Sequence, residues 1–271
     1  MLPPSGGFSL CKFRRTSANQ GLESNMGSQV DTFIKAFNQL VHHRNKYDVF
    51  KDFVYLSSIS IQNAFLKSQE LEGEYLELIS KYNKDESLVI ASLLGEVIIA
   101  LEGSHSDFLG AVYMELDIGS SHIGQFFTPY DVSRMMAKAI YADSFSLLEE
   151  KPFLTLCEPC VGAGSMVIAI ADEMLSNGFN PQNQLWVSCV DIDPLAARMA
   201  FIQLSLLGIP AEVIVGNTLT MKVTEVFRTP MHFIGFWDSK LSKLNEDVSL
   251  VEPDSIINVE KDQYDLFSLV S

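Results

Sequence analysis

"CEPCVGAGSMVIAIADEM", residues 157–174, sets an acidic residue, a proline and two glycines between a short apolar run and a helix-like run. The apolar run is "FLTLC" (153–157), and the helix-like run reaches Asn177, with Gly178 placed to end it. Strand, glycine loop and helix in that order make half of a βαβ unit. The following pieces repeat it. "LWVSCVD" (185–191) reads as a strand and "PLAARMAFIQLSLLG" (194–208) as a helix closed by Gly208. "AEVIV" (211–215) is a third strand and "MHFIGFW" (231–237) a possible fourth. Alternation at this spacing predicts a parallel sheet.

The front half has a different period. Val30, Phe33, Ile34, Phe37, Leu40 and Val41 recur at helical steps, as do Val49, Phe50, Phe53, Val54 and Leu56 behind Asp48. With "ELEGEYLELISKY", "DESLVIASLLGEVIIALE" and "DFLGAVYMEL" this makes a helical domain of about five helices. The expected organisation is an extension over 1–27, a helical domain over 28–120, an α/β domain over 121–242 and an acidic tail over 243–271. The extension carries Lys12, Arg14 and Arg15 but lacks the apolar centre of a signal peptide. It reads as a disordered extension, or as a start placed ahead of Met26.

The chain is 47% hydrophobic, which is enough for a sizeable core, and carries a net charge of −15. A protein that grips DNA unaided shows a basic excess, because phosphate neutralisation supplies most of the affinity. This balance therefore argues for DNA contact only with a partner subunit. No stretch has the roughly 18 apolar residues of a membrane span, and a cytoplasmic location is expected. Cys157 and Cys160 form a CxxC without a second pair at zinc spacing. Cys157 and Cys189 read as packed thiols in buried strands, and no metal site is expected.

A loop at the carboxyl edge of a parallel sheet is where doubly wound folds bind ligands. A dinucleotide requires G-x-G-x-x-G, but Val167 stands where the third glycine belongs. A nucleoside triphosphate requires a Walker lysine, and none follows. S-adenosylmethionine fits better. Its amino group is cationic, which suits Glu158, and its close approach to the backbone suits Gly162 and Gly164. Asp191, ending the next strand, is placed for the ribose hydroxyls, with Ile192 beside the adenine. The competing role for Asp191 is to cap the following helix, for which Asp193 ahead of Pro194 is better placed.

"GQFFTPYDVSRMMAKAI" (124–140), "EPCVGAGSM" (158–166) and "VDIDPLAARMA" (190–200), in this order and spacing, resemble the N6-adenine DNA methyltransferases. The closest likeness is to the modification subunits of type I restriction systems, over roughly residues 107–219. The resemblance implies a class I, Rossmann-like S-adenosylmethionine-dependent methyltransferase fold, shortened here and preceded by a helical domain. It implies the cofactor S-adenosylmethionine, with Glu158 at the methionine amino group, Pro159 and the glycines beneath it and Asp191 at the ribose. Asn217 would stand near the adenine amino group. Gln125, Phe126 and Thr128 belong to the segment that folds over the methionine end in the family. Thr128 also reads as a helix cap with Pro129 in the first position, and one of Phe126 and Phe127 as packing beneath that helix. The family's strand order would put the third strand at one edge and the fourth beside the first.

The family's catalytic [Asp/Asn/Ser]-Pro-Pro-aromatic motif does not occur. After Asn217 the only prolines are Pro230 and Pro253, and neither has a proline neighbour. "HFIGFWDSKL" stands at the expected place and offers Trp237 and Asp238, in the reverse order. They read either as a rearranged catalytic pair or as core and helix cap. Three functions follow: an adenine-specific DNA methyltransferase or a subunit of one, a non-catalytic cofactor-binding relative acting in restriction or anti-restriction through protein partners, and a methyltransferase for another substrate. A half-sheet would expose an edge, which "SIINVE" (255–260), a partner chain or a dimer would cover.

Overall fold

A computed structural model describes residues 19–42, 44–118, 126–141 and 143–249. Five helices come first: α1 (Asn19–Phe37), α2 (Lys46–Leu66), α3 (Gln69–Ile79), α4 (Lys84–Gly103) and α5 (Phe108–Glu115). α1 begins at Asn19, inside the stretch expected as an extension. Asn45 caps α2 by accepting from Tyr47 N, and Asn83 and Glu86 form a reciprocal capping box on α4. The left-handed Lys67 (φ 50°) stops α2, and Ser68 restarts the chain as the cap of α3.

The helical periodicities converge on an aromatic cluster. Phe33 of α1 meets Phe53 of α2 edge-on at 5.4 Å and Phe108 of α5 at 5.9 Å, while Phe50 meets Tyr113 at 5.7 Å. Each ring is buried, and edge-to-face packing adds to the area removed from water. The same core continues without a break into the second half, through Val167, Met199, Phe201 and Val213.

The second half contains α6 (Tyr130–Tyr141), a 3₁₀ turn (Asp143–Glu149), β1 (Leu154–Glu158), α7 (Ser165–Ser176), α8 (Pro181–Gln184) and β2 (Leu185–Asp191). It continues with α9 (Pro194–Leu206), β3 (Ala211–Asn217), β4 (Lys222–Arg228), α10 (Pro230–Ile234) and α11 (Trp237–Ser249). The sheet order is β1-β2-β3-β4. β1, β2 and β3 are parallel, with Glu158 beside Cys189 and Asp191 beside Val215. Glu158, Asp191 and the end of β3 therefore share one edge of the sheet.

The expected fourth strand is overturned. Residues 231–234 lie in α10 and Trp237 begins α11, because Pro230 opens α10 and Gly235 closes it. The strand is "KVTEVFR" instead, and it runs antiparallel beside β3, not parallel beside β1. A short turn suffices for an antiparallel neighbour, so no crossover helix is needed. A bulge between Val215 and Gly216 accompanies the turn, and a Cβ on Gly216 would lie 2.7 Å from the Lys222 carbonyl. Cys157 is also corrected. It is exposed, because among the described residues β1 pairs with β2 alone and its Thr155–Cys157 face is uncovered. Cys189, in the middle strand β2, is buried, and burial pushes its thiol pKa up.

Arg198 locks the two halves together. Its guanidinium lies between the rings of Tyr55 (4.3 Å) and Phe227 (4.6 Å) and donates to Ser58 Oγ (2.9 Å) and Glu225 Oε2 (2.7 Å). α2, α9 and β4 thus meet on one cation. The pair is asymmetric, with side-chain exposures of 7% for Arg198 and 40% for Glu225. Removing the carboxylate strands a buried charge, while removing the cation leaves an acid that water reaches. Urea unfolding is expected to show Glu225→Leu costing about 3 kcal/mol and Arg198→Met about half of that. The reverse order would mean that the guanidinium's ring packing and its Ser58 bond outweigh the ion pair.

Candidate cofactor site

The glycine loop needs its glycines. Gly162 has φ +56° and Gly164 φ +104°, and Gly164 stands at the N-cap position of α7 without a side-chain cap. A Cβ on Gly162 would come within 3.1 Å of the Phe127 ring. The loop is held from both sides of the strand end. Val161 N–H donates to the Val190 carbonyl at 2.9 Å, and Gly162 N–H donates to Asp191 Oδ2 at 2.8 Å. Asp191 Oδ1 accepts from Asp193 N–H at 2.9 Å.

Asp193 is the cap of α9, accepting from Leu195 N–H with Pro194 in the first turn. Asp191 is therefore not the helix cap, but neither is it idle: it ties the loop to the end of β2. Only 8% exposed, it has its carboxyl pKa raised by burial, with the backbone N–H groups pulling the other way. A carboxylate has about four acceptor positions, so the backbone N–H groups of Gly162, Asp193 and Ile192 still leave capacity for a ligand hydroxyl.

The other residues named from the sequence gather at the same edge. Glu158 Oε1 accepts from Cys160 N–H at 3.1 Å, and the Pro159 carbonyl accepts from Thr218 Oγ1 at 2.7 Å, joining the ends of β1 and β3. Asn217 Oδ1 accepts from Leu219 N–H (3.0 Å) and Thr220 N–H (3.1 Å). With its oxygen so engaged, its NH₂ donors are what it offers a ligand. Ile192 stands 68% exposed next to Asp191.

The aromatic pair divides its work. Phe127 packs against Tyr113 at 5.0 Å, whereas Phe126 is 70% exposed. Gln125 lies outside the described residues. α6 starts at Tyr130, one residue later than the Thr128 cap implies, with Ser133 N–H bonded to the Pro129 carbonyl. Ser133 Oγ also lies 2.9 Å from Ser165 Oγ, both buried, so α6 is stitched to the start of α7. The sequence reading missed this serine pair, since neither residue breaks a pattern.

Trp237 and Asp238 lie at the other end of the sheet. Trp237 is fully buried, edge-on to Phe153 at 5.0 Å, just before β1 begins. Asp238 Oδ1 lies 3.1 Å from His232 Nε2, and His232 Nδ1 accepts from Trp186 Nε1 at the start of β2. A strand of β2's length places about 20 Å between this cluster and the glycine loop. Trp237 is thus a core residue, and Asp238, 67% exposed, is the solvent end of a polar link through the buried His232.

Residues 106–240 match the model of the N-6 DNA Methylase family. The family resemblance carried by the three motifs is thus supported over just under half of the chain. Comparison with curated proteins gave no match. Among solved structures the chain is similar to a protein from Listeria monocytogenes assigned to the class I S-adenosylmethionine-dependent methyltransferases. The two share 14% identity with a TM-score of 0.40, over 72% of this chain and 52% of that one. It is also similar to a type I restriction-modification system methyltransferase subunit from Streptococcus thermophilus, at 15% identity and TM-score 0.32, over 71% and 57%. The chain spans about half the length of both structures. No helix among the described residues is long and apolar enough to cross a membrane.

Two outcomes test this geometry. Gly164→Ala is expected to cost about 1–3 kcal/mol in urea unfolding, since L side chains rarely adopt its φ. The raised pKa of Asp191 sets a sign. Its folded value lies above its unfolded value, so its contribution is complete below about pH 3.9 and lost as pH rises through the folded pKa. Relative to Asp191→Asn, the wild type should gain stability as pH falls from 7 towards 4. A constant difference would show that the buried carboxyl does not titrate differently on folding.

Proposed function

We propose that this chain is an S-adenosylmethionine-binding protein of the adenine-N6 DNA methyltransferase type, working in a restriction-modification setting with a partner subunit. The observation that carries this is the Gly162–Asp191 bond, which holds a glycine loop and an acidic strand end as one unit. Glu158 would meet the cofactor's ammonium group and Asp191 the ribose hydroxyls. Ile192 would cover one face of the adenine, and the amide of Asn217 would donate to a ring nitrogen. The Gln125–Thr128 segment would close over the methionine end, with Phe126 as its exposed ring. When bound, the cofactor supplies an electrophilic methyl group, and these residues orient it.

The partner is argued from topology and charge. In doubly wound sheets the ligand crevice opens where the strand order reverses. Among the described residues the order runs one way from β1, so the second wall of the crevice belongs on the side of β1 away from β2. A partner covering that edge would bring the acceptor base, which must leave the duplex stack, and a basic surface to offset the net charge of −15. A second reading, a non-catalytic cofactor binder acting through protein partners, is favoured by one observation: Trp237 and Asp238 sit at the opposite end of the sheet.

Calorimetry with S-adenosylmethionine tests the cofactor. Wild type should bind, and Glu158→Ala and Asp191→Ala should each weaken binding by about 1–3 kcal/mol. No heat with wild type, or equal affinity in all three, would end the proposal. Transfer of labelled methyl to mixed genomic DNA, read as N6-methyladenine, separates the two readings. Label only with a modification-system partner present supports the enzyme. Cofactor binding without label, with or without the partner, supports the binding protein.

A further inference from the structure

α9 buries a second polar side chain whose bonds lead to the glycine loop. Gln203 is fully buried on a helix that otherwise presents Leu195, Met199, Phe201 and Leu204 to the core. Its Nε2 donates to Asp107 Oδ1 at 2.8 Å and to the Ala163 carbonyl at 2.7 Å, and its Oε1 accepts from Leu109 N–H at 3.0 Å. Both amide hydrogens and the amide oxygen are thus committed. Asp107, 4% exposed, caps α5 and accepts from Gly110 N–H at 2.9 Å through the same oxygen. A Cβ on Gly110 would lie 2.2 Å from Asp107 Oδ2, so only glycine lets α5 start this close to the acid.

A buried amide among apolar side chains is unfavourable unless its hydrogen bonds are made. Here the bonds join three pieces: the start of α5 in the helical half, the middle of α9, and the peptide between Gly162 and Gly164. Ala163 lies between two positive-φ glycines, the most permissive backbone in the chain. Its carbonyl ties the loop to the helical half through Gln203, while the N–H of the same peptide, from Gly164, donates to the Val161 carbonyl at 2.9 Å. The Gly162–Asp191 bond fixes the loop at one side, and the Gln203 bond fixes it at the other.

We propose that Gln203 and Asp107 are positioning residues that set cofactor affinity by clamping the Ala163 peptide against the helical half. The proposal rests on the cofactor reading for its ligand but not for its geometry. Gln203→Met keeps the length and removes every bond. Asp107→Asn keeps an acceptor for both Gly110 and Gln203 and serves as the conservative rescue. Leu93→Ala, fully buried in α4, supplies a loss of stability away from the loop.

Hydrogen–deuterium exchange over residues 159–165 of the full, cofactor-free chain is read beside calorimetry with S-adenosylmethionine. Gln203→Met should raise loop exchange and weaken binding by about tenfold, the loss of one net hydrogen bond. Asp107→Asn should stay near wild type in both, and Leu93→Ala should do neither beyond its global destabilisation. Should Gln203→Met fail to fold, Asp107→Ala, which removes one of the two Nε2 bonds and leaves the Ala163 bond, should move both readouts in the same direction by less, and no movement in either overturns the clamp. Loop exchange equal to that of Leu93→Ala overturns the clamp. Faster exchange with unchanged affinity overturns its role in binding. If wild type binds no cofactor, the cofactor reading fails, and loop exchange alone still decides the clamp.

Discussion

The hydrogen bond from Gly162 N–H to Asp191 Oδ2, 2.8 Å long, couples two parts of the chain that would otherwise be set independently. β1 and β2 are in register, so Glu158 lies beside Cys189 and Asp191 projects beyond it. That offset brings the acid level with the loop rather than with the strand before it. The carboxylate then accepts one N–H from each side, Gly162 and Asp193, and the loop and the start of α9 move as a unit. A charged acceptor makes the stronger kind of hydrogen bond, and burial makes an unfilled one costly. An acid here is a structural tie, and on the proposed function it is a ligand group as well.

α9 is the other element everything leans on. It is buried all round from Leu195 to Leu204, and two of its buried residues are polar and reach out in different directions. Arg198 reaches α2 and β4, while Gln203 reaches α5 and the loop. The helical half is thereby not an appendage beside the sheet. It shares a continuous core with it, and its α5 contributes Tyr113, on which Phe127 rests beside Gly162.

Parallel strands and amphipathic helices were legible because burial on both sides, or on one stripe, writes itself into composition. "FLTLC", "LWVSCVD" and "AEVIV" became β1, β2 and β3 within a residue or two at their ends. β4 was not legible. Lys222, Thr224, Glu225 and Arg228 leave only Phe227 well buried, so an edge strand carries almost no apolar signal. "MHFIGFW" misled for the opposite reason. A short apolar run does not distinguish a buried strand from a packed helix, and Pro230 and Gly235 were the punctuation that settled it. In the site, the glycines and acids were readable because each has a conformational or charge reason to be there. Gln203 and Ser133 were not, since a single polar residue in an apolar helix gives no hint of which distant backbone it will meet.

The two ends of the sheet do different work. At the carboxyl end, backbone N–H groups, glycines and carboxylates are held by bonds that span β1, β2 and β3. At the amino end, Trp186, His232 and Asp238 form a line from a half-buried indole through a buried imidazole to an exposed acid, and Trp237 closes on Phe153. The connection that carries the aromatic and acidic residues of 236–238 away from the loop is the antiparallel turn after β3. A parallel fourth strand would have returned them to the carboxyl edge; an antiparallel β4 delivers the chain to the amino edge instead. On the proposed function, the group that receives a methyl has to approach from the side of β1 that no described strand pairs with, where the described residues leave Thr155 and Cys157 exposed beside the half-buried Glu158. The direction of one strand thus decides where acceptor recognition must come from.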